Sequence, residues 1–259
     1  MLKIRTLASG SKGNVTYIAS DTTAILVDVG LSLPALLKRM TAADIDPKTV
    51  NAVLITHEHS DHIAGLNAFV KKFASTVHIH ELTTNLFANI PMEHINTFNT
   101  HFEIGDIAVD FFPLPHDSTF CFGYTFRNGD AKISLATDLG RITADILDKM
   151  AGSQIVLLES NHDMTKLSRN VKYPSWLKRR VSGSGGHLSN TAASLAVWEL
   201  AKQKVQQVIL AHISEENNTP TLAYSVICDF LASKGISEGT DISIDVATQH
   251  EVGVLFQID

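Results

Sequence analysis

The segment Thr56–Gly65, with the sequence THEHSDHIAG, is the feature that most limits how this chain can fold. It follows the apolar run NAVLI, and a short apolar run of this kind is typical of a buried strand. The segment carries four side chains that can bind metal ions: His57, His59, Asp61 and His62. The fold must therefore place a cluster of polar side chains at the end of a core strand.

The spacing of these four residues suits two metal ions. Alternate side chains of an extended segment point to the same side, so His57 and His59 can converge on one ion. Asp61 and His62 follow the bend into the next helix, where they can face a second ion. Imidazole nitrogen and carboxylate oxygen are ligands of Zn²⁺ and similar ions. A polar turn with histidines by chance is the alternative, but four such side chains seldom coincide at this spacing.

Other metal-capable side chains also follow apolar runs. Asp28 follows AILV, His116 follows VDFFPLP, Asp138 follows KISLAT and His212 follows QVILA. Any one of them alone is more typical of a turn or a helix cap. Because open α/β sheets carry their sites at strand ends, the repeated pattern predicts that these groups collect along one edge of a layered sheet.

Hydrophobic periodicity predicts a chain of both strands and helices. Helices are predicted near Pro34, after the strand NAVLIT with Ile63, Leu66, Phe69 and Val70 on one face, from Ser189 to Lys204 and from Thr219 to Gly235. A hairpin is predicted to turn at Asn128-Gly129. Strands are predicted for KIRTLA, VTYIAS, AILVDVG, NAVLIT, IAVDFFPLPH, CFGYTFRNGDAKISLATD, QIVLLES, QVILAH, DISIDVA and EVGVLFQI. This order suggests two sheets packed face to face with helices outside.

Length and composition exclude several classes of protein. The 259 residues suffice for one large α/β domain or two small ones, and we expect a single domain that spans residues 1–259. The net charge of -6 excludes a global positive field, so nucleic-acid binding requires a local basic patch. The two cysteines, Cys121 and Cys228, form no CxxC pair and are expected to be reduced. Because the sequence shows neither a signal peptide nor a long apolar span, we expect a cytoplasmic protein without membrane contact.

The motif HxHxDH at His57–His62 resembles that of the metallo-β-lactamase superfamily, and His116, Asp138 and His212 match its later metal positions in order. The segments LASGSKGN, ATDLG, LLESNHD, GHLSN and LAHISEENN resemble the exonuclease-like YycJ-type (WalJ-like) branch, which is related to ribonuclease Z and phosphodiesterases. The resemblance covers essentially the whole chain. It implies an α/β fold of the four-layer αββα sandwich type. The short stretch between Asp138 and His212 leaves no room for a large inserted domain.

The resemblance also implies roles for single residues. It implies two divalent ions, Zn²⁺ or Mn²⁺. Their ligands would be His57, His59 and His116 for one ion, Asp61, His62 and His212 for the other, and Asp138 as the bridge. A hydroxide shared by the ions would attack the substrate. Asp28 is expected to support the ligands by hydrogen bonds, and for His162 substrate contact, ligand support and helix capping stay open.

His187, in GHLSN, is a candidate general acid. The resemblance places it beside the ions and, with Asp61, among the catalytic residues. A pKa of about 6.5 for an unperturbed histidine suits protonation of a leaving oxygen. The alternative is a histidine near a helix start that Ser189 caps.

Two further stretches are candidates for phosphate binding. Backbone N–H groups of the loop SGSKGN, with Ser11, Lys12 and Asn14, can cradle an anion, although a plain hairpin turn is an equal alternative. The segment YPSWLKRRV carries the densest basic run, Lys178, Arg179 and Arg180, with Tyr173 and Trp176 nearby for stacking on bases; a solvated helix face is its alternative.

Together these features predict a dinuclear phosphodiesterase or nuclease, exonuclease-like on DNA or RNA, which binds nucleic acid through the local basic patch. The main alternative is a thioesterase of the glyoxalase II kind, because the same seven ligands serve acyl transfer. A non-catalytic binding scaffold is less compatible with a complete ligand set. A β-lactamase would need an export signal, and a flavodiiron-type oxidoreductase would need a carboxylate at His59.

Overall fold

The computed structural model describes residues 1–259 and contains two seven-stranded sheets. In spatial order, the first sheet consists of β14 (Phe256–Ile258), β1 (Leu2–Ala8), β2 (Val15–Ala19), β3 (Ala24–Val27), β4 (Ala52–Leu54), β5 (Thr76–His80) and β6 (Ile95–Phe98). The second consists of β13 (Ser243–Val246), β12 (Gln207–Ala211), β11 (Ile155–Glu159), β10 (Ala131–Ala136), β9 (Phe122–Asn128), β8 (Ile107–Pro113) and β7 (Phe102–Ile104).

Eight α-helices complete the fold, and their bounds are as follows: α1 (Leu33–Ala42), α2 (Ser60–Ile63), α3 (Leu66–Phe73), α4 (Ala144–Met150), α5 (Met164–Arg169), α6 (Ser175–Val181), α7 (Asn190–Lys202) and α8 (Pro220–Ser233). None of them is long and apolar enough to cross a membrane.

Three apolar cores divide the molecule into layers. Ile25 of the first sheet and Leu157 of the second belong to a core between the sheets. Leu26, one residue further along β3, packs outward with Phe69 of α3. Leu158 likewise turns outward into the core that contains α7 and α8. Successive side chains alternate between the faces of a strand, and strands covered on both faces read as continuous apolar runs such as AILV and IVLL. The predicted αββα sandwich is confirmed.

Strand direction determines where the polar groups gather. In the first sheet β3, β4, β5 and β6 pair in parallel, and in the second sheet β10, β11, β12 and β13 do so. The carboxyl ends of neighbouring parallel strands lie at one edge of a sheet. Asp28 follows the end of β3, Asp138 that of β10 and His212 that of β12, so all three lie at such an edge.

Most predicted elements are present, with one correction. The helix that Ser189 caps is α7, the helix that Thr219 caps is α8, and the hairpin at Asn128-Gly129 joins β9 and β10. The strand predicted for EVGVLFQI is wrong over residues 251–255, because only Phe256–Ile258 pairs with β1 in the ladder. At Gly253 the chain instead passes so close to β1 that an added Cβ would lie 2.4 Å from Thr6 Oγ1.

A glycine allows the loop after β3 to approach the turn that carries the motif. The backbone N–H of Val29 donates to the His62 carbonyl oxygen (2.8 Å), and that of Asn14 donates to the Asp61 carbonyl oxygen (2.8 Å). A Cβ on Gly30 would lie only 1.7 Å from the Asp61 carbonyl oxygen. Residue 30 therefore has no room for a side chain.

We expect Gly30→Ala to destabilise the protein, because overpacking a rigid site costs about 1–3 kcal/mol or more. The measurement is urea unfolding. Gly185→Ala is the matched control, since the nearest atom to its added Cβ would lie 3.8 Å away. Equal unfolding midpoints for the two variants would contradict the requirement for glycine at residue 30.

Candidate metal centre

The motif segment leaves β4 in an extended conformation and enters the short helix α2, as its spacing predicts. The rings of His57 and His59 meet edge to face with centroids 4.6 Å apart, and the ring of His116 lies 5.1 Å from that of His57. The nearest nitrogen atoms of these three histidines all lie within 4.8 Å of one another. The structure thus joins the end of β4 to the loop after β8.

A second group lies directly beside the first. Asp61 Oδ2 is 3.5 Å from His212 Nε2 and 3.6 Å from His62 Nε2. The His57 and His62 rings, one from each group, have centroids only 4.1 Å apart. The two groups therefore form one centre with two halves.

Asp138 lies between the two halves. Its Oδ2 is 3.2 Å from His62 Nε2, and its Oδ1 is 3.5 Å from His212 Nε2 and 3.9 Å from His116 Nε2. Its side chain is 2% exposed. All seven residues that the sequence predicts as ligands thus meet in one place, with Asp138 in contact with members of both halves.

Three strand-end residues of the site adopt left-handed backbone conformations. Asp28, Asp138 and His212 have φ values of 63°, 64° and 55°. Few residues other than glycine adopt this region, and strain of this kind is characteristic of functional sites. Each of these residues ends an extended run, so the backbone reversal occurs where its side chain joins the site.

Hydrogen bonds from behind orient the ligand rings. Asp28 Oδ2 lies 2.7 Å from His62 Nδ1, and its carboxylate also accepts the N–H and the hydroxyl of Thr56 at 2.8 Å each. His116 Nδ1 lies 3.0 Å from the Gly186 carbonyl oxygen. Such partners fix the tautomer and orientation of metal-binding histidines. The contacts agree with the supporting role predicted for Asp28.

Glu159, which the sequence analysis did not propose as a site residue, is part of the centre. It is fully buried at the end of β11. Its Oε1 lies 2.7 Å from His187 Nδ1 and 3.1 Å from His212 Nδ1, and its Oε2 accepts the N–H of Leu139 at 2.9 Å. Its position after the apolar run QIVLL is the same signal that identified Asp138, so the strand-end pattern could have identified it.

The donor groups suit divalent cations. His57 Nε2 is buried and has no hydrogen-bond partner within the protein. Buried polar atoms without a partner are rare and call for an ion or water. Imidazole and carboxylate donors, without thiolate, match Zn²⁺ and Mn²⁺ rather than soft metals. The centre is a divalent metal site in its chemistry.

Proton binding competes with metal binding at this centre. Burial alone would lower the pKa of His62, but the carboxylates of Asp138 and Asp28 outweigh it and raise that pKa to about 10. Burial likewise opposes, and the Asp138 carboxylate favours, protonation of His212, whose pKa is raised well above its usual value. In the metal-free protein these imidazolium groups balance the buried carboxylates.

A small cavity opens over the centre. Its volume is about 260 Å³, and Ser11, Tyr173, Leu177, Arg180 and His187 are among its lining residues. The His187 side chain is 21% exposed there. A predicted general acid and two predicted phosphate contacts thus lie at the same opening as the ligands.

Three other residues predicted near the site do not line the cavity. Asn14 is buried, and its amide nitrogen lies 3.1 Å from His62 Nε2 and 3.3 Å from Asp61 Oδ2, so it contacts the ligands themselves. Lys12 pairs with Glu215 at 2.6 Å outside the cavity. His162 is buried, and neither of its ring nitrogens has a partner.

The basic run divides between two surfaces. The Arg180 guanidinium pairs with the Asp117 carboxylate, and both residues line the cavity. Lys178 donates to the Ser168 carbonyl oxygen at 2.6 Å, and Arg179 is exposed. Neither Lys178 nor Arg179 lines the cavity over the ligands.

Comparison with known proteins agrees with this geometry. A family model for the β-lactamase superfamily domain matches residues 23–213. Over 249 residues, 94% of each chain, the sequence is 35% identical to the exodeoxyribonuclease YycJ of Bacillus anthracis. Over 254 residues, 93% of each chain, it is 31% identical to the exodeoxyribonuclease WalJ of Streptococcus pneumoniae. The metallo-β-lactamase fold protein YhfI of Bacillus subtilis superposes with a TM-score of 0.74, covering 98% of each chain at 15% identity.

Metal affinity should rise with pH, because a metal ion binds neutral imidazole and must displace protons from His62 and His212. The pKa of His62, raised to about 10, keeps that ring protonated through the neutral range in the metal-free protein. We expect the Mn²⁺-induced increase in melting temperature to be larger at pH 8 than at pH 6, and calorimetry in buffers of different ionisation enthalpy to show proton release. Stabilisation that does not change with pH would contradict this competition.

Proposed function

This chain belongs to the β-lactamase superfamily, and we propose that it is a metal-dependent phosphodiesterase that acts as an exodeoxyribonuclease. The observation that carries the proposal is that His187, a proton donor held by a buried carboxylate, lines the same cavity as five of the seven proposed ligands. The DNA substrate is inferred from the two relatives named exodeoxyribonucleases, which are 35% and 31% identical over nearly their whole length.

The proposed centre holds two divalent ions. The proposed ligands are His57, His59 and His116 for one ion, Asp61, His62 and His212 for the other, and Asp138 for both. Such ions, when bound, act as Lewis acids toward phosphate oxygens and lower the pKa of water. Asp28 and Glu159 would hold ligand rings in a fixed orientation through hydrogen bonds to the ring nitrogens that face away from the ions.

His187 is the proposed general acid. Its Nδ1 lies 2.7 Å from Glu159 Oε1, which leaves Nε2 without a partner in the protein. Burial lowers the pKa of His187, but the Glu159 carboxylate overcomes this and raises it above its usual value. A raised pKa favours the protonated ring, which can give its proton to the leaving oxygen of a phosphodiester.

Ser11 and Arg180 are the proposed contacts to the phosphate, because both line the cavity. The Arg180 guanidinium already pairs with Asp117, so a phosphate would share or replace that carboxylate. Lys12, Asn14, Lys178 and Arg179 would act only from outside the cavity or from behind the ligands.

The proposed setting of this activity is the cytoplasm. Cys121 and Cys228 are both unpaired in the structure, and free thiols are usual in a reducing compartment. The proposed partner is therefore intracellular DNA, bound through the local basic segment rather than through the net charge of the chain.

The number of ions is testable with Asp138→Ala. The native protein should contain about two transition-metal ions per chain, as two-metal sites require. Asp138→Ala should lose one or both ions, because it contacts both halves of the centre. Elemental analysis after dialysis measures this. One ion per native chain at saturating Mn²⁺ or Zn²⁺ would contradict the dinuclear centre.

The role of His187 is testable with two substrates. His187→Ala should lower kcat on DNA by roughly 10²–10⁴-fold, the usual contribution of a general acid, with unchanged metal content. A nitrophenyl phosphodiester should be hydrolysed with a much smaller loss, because its leaving group needs no proton. His101→Ala, at an exposed histidine, is the control.

Loss of metal from His187→Ala would assign His187 a structural or ligand role instead. Equal losses on both substrates would also contradict proton donation to the leaving group.

A further inference from the structure

The surface formed by α5, α6 and their connection is the most basic stretch of the chain. Between Met164 and Trp198 there are no acidic residues, although the whole chain has a net charge of -6. The same stretch contains the following six basic residues: Lys166, Arg169, Lys172, Lys178, Arg179 and Arg180. We refer to residues 164–182 as the α5–α6 surface.

Half of these cations already have partners. Lys172 pairs with Glu216 at 2.8 Å, Arg180 pairs with Asp117, and Lys178 donates to a backbone carbonyl. The remaining three are exposed and make no ion pair or side-chain hydrogen bond: Lys166, Arg169 and Arg179. Cations that no internal group neutralises are available to an anionic ligand.

Helix α6 lies between the catalytic cavity and the outer part of this surface. Tyr173, which precedes the helix, and Leu177, on its inner face, line the cavity over the ligands. Arg179, on its outer face, lines a groove of about 360 Å³ together with Met164 and Leu167 of α5. A helix with its side chains is about 10–12 Å across, so the groove lies roughly two nucleotides from the cavity.

Large apolar side chains are exposed among the free cations. Trp176 is 59% exposed, Met164 50% and Val171 98%. Trp176 lies three residues before Arg179 on α6, so the two side chains share one side of the helix. An exposed indole beside a guanidinium is a combination that binds unpaired bases, because stacking needs the face of a base and the cation holds the backbone. The bases of an intact duplex have their faces covered by neighbouring base pairs.

We propose that the α5–α6 surface binds the single-stranded part of a DNA substrate, with backbone phosphates on Lys166, Arg169 and Arg179 and an unpaired base stacked on Trp176. This inference rests on the proposed exodeoxyribonuclease function and extends it to the substrate beyond the reacting phosphate. The strand would pass across α6 from the cavity to the groove between α5 and α6.

Binding of the metal-loaded protein to (dT)12 with a phosphorothioate backbone, which resists hydrolysis, tests the stacking. The chain has two tryptophans, and Trp198 is partly buried with Lys202 Nζ 4.1 Å from its ring centroid. We expect (dT)12 to quench the tryptophan emission. In Trp176→Ala the quenching should be lost and the affinity should fall about 5- to 100-fold, the usual cost of removing one stacking side chain. Quenching that persists in Trp176→Ala would overturn the stacking.

The phosphate contacts are tested by salt dependence. The triple variant Lys166→Ala, Arg169→Ala, Arg179→Ala should reduce the slope of log affinity against log salt by up to about two units, because each contact to single-stranded DNA contributes about 0.7. The matched control removes three exposed cations from α1, the turn after it and α3: Lys38→Ala, Lys48→Ala and Lys71→Ala. Identical slopes in the two triple variants would overturn the contacts.

Two further measurements separate this inference from the proposed function. Hydrolysis of a nitrophenyl phosphodiester should be unchanged in the test variants, because none of the substituted residues lines the cavity. A blunt duplex should show a smaller loss of affinity than (dT)12; an equal loss would overturn the single-strand specificity. If the native chain cleaves DNA and the test variants behave like the control, the α5–α6 inference fails alone. If the native chain neither binds nor cleaves DNA, both fail.

Discussion

The balance of charge between buried carboxylates and imidazoles is the interaction on which the site depends. Asp28, Asp138 and Glu159 are 3%, 2% and 0% exposed, and an isolated carboxylate in such surroundings is strongly disfavoured. Each of them lies within 3.5 Å of at least one histidine ring nitrogen. The folded site is therefore stable only when cations balance these carboxylates, either as protons on the rings or as metal ions between them. The proposed hydrolysis requires the metal ions.

The sandwich supplies the rigid frame that this balance requires. Parallel strands from both sheets end at the site, and apolar cores on both faces of each sheet hold those strands in place. Left-handed residues at three strand ends and the glycine at residue 30 then bring the carboxylates and the motif turn together. Because the rings of His62, His116 and His212 are held from behind, few of the groups have to move when metal or substrate binds. Helix α6, by contrast, lies over the cavity and contributes none of the proposed ligands.

The meeting of the seven proposed ligands in one place was predictable from the sequence, because two simple rules converge on these residues. Apolar runs identify core strands, and metal-capable side chains such as His212 directly after those runs must meet where parallel strands end. The layered architecture followed from the same runs. Glu159 was missed, although it obeys the same rule, because a glutamate after an apolar strand is also a common turn residue. Asn14 was expected to contact a phosphate, but it is buried against His62. Its burial depends on the packing of two distant loops, which a local sequence pattern does not record.

Short elements were the least predictable. Helices α4, α5 and α6 have six or seven residues each, too few for a clear hydrophobic period, and β7 has three. The position of α6 over the cavity depends on tertiary contacts that no local pattern records. For this reason the sequence could identify the basic run but could not show that Arg180 faces the ligands while Arg179 faces away from them.

The central claim is that this metal centre cleaves phosphodiester bonds in DNA, and the most direct measurement compares substrates for one preparation. Metal-loaded protein would be incubated with end-labelled single- and double-stranded DNA, with RNA of the same sequence, and with a thioester substrate. We expect nucleotides to be released from DNA ends and the thioester to stay intact. EDTA should stop the release, and added Mn²⁺ or Zn²⁺ should restore it. Thioester hydrolysis with intact DNA, or DNA cleavage that persists in EDTA, would contradict the central claim.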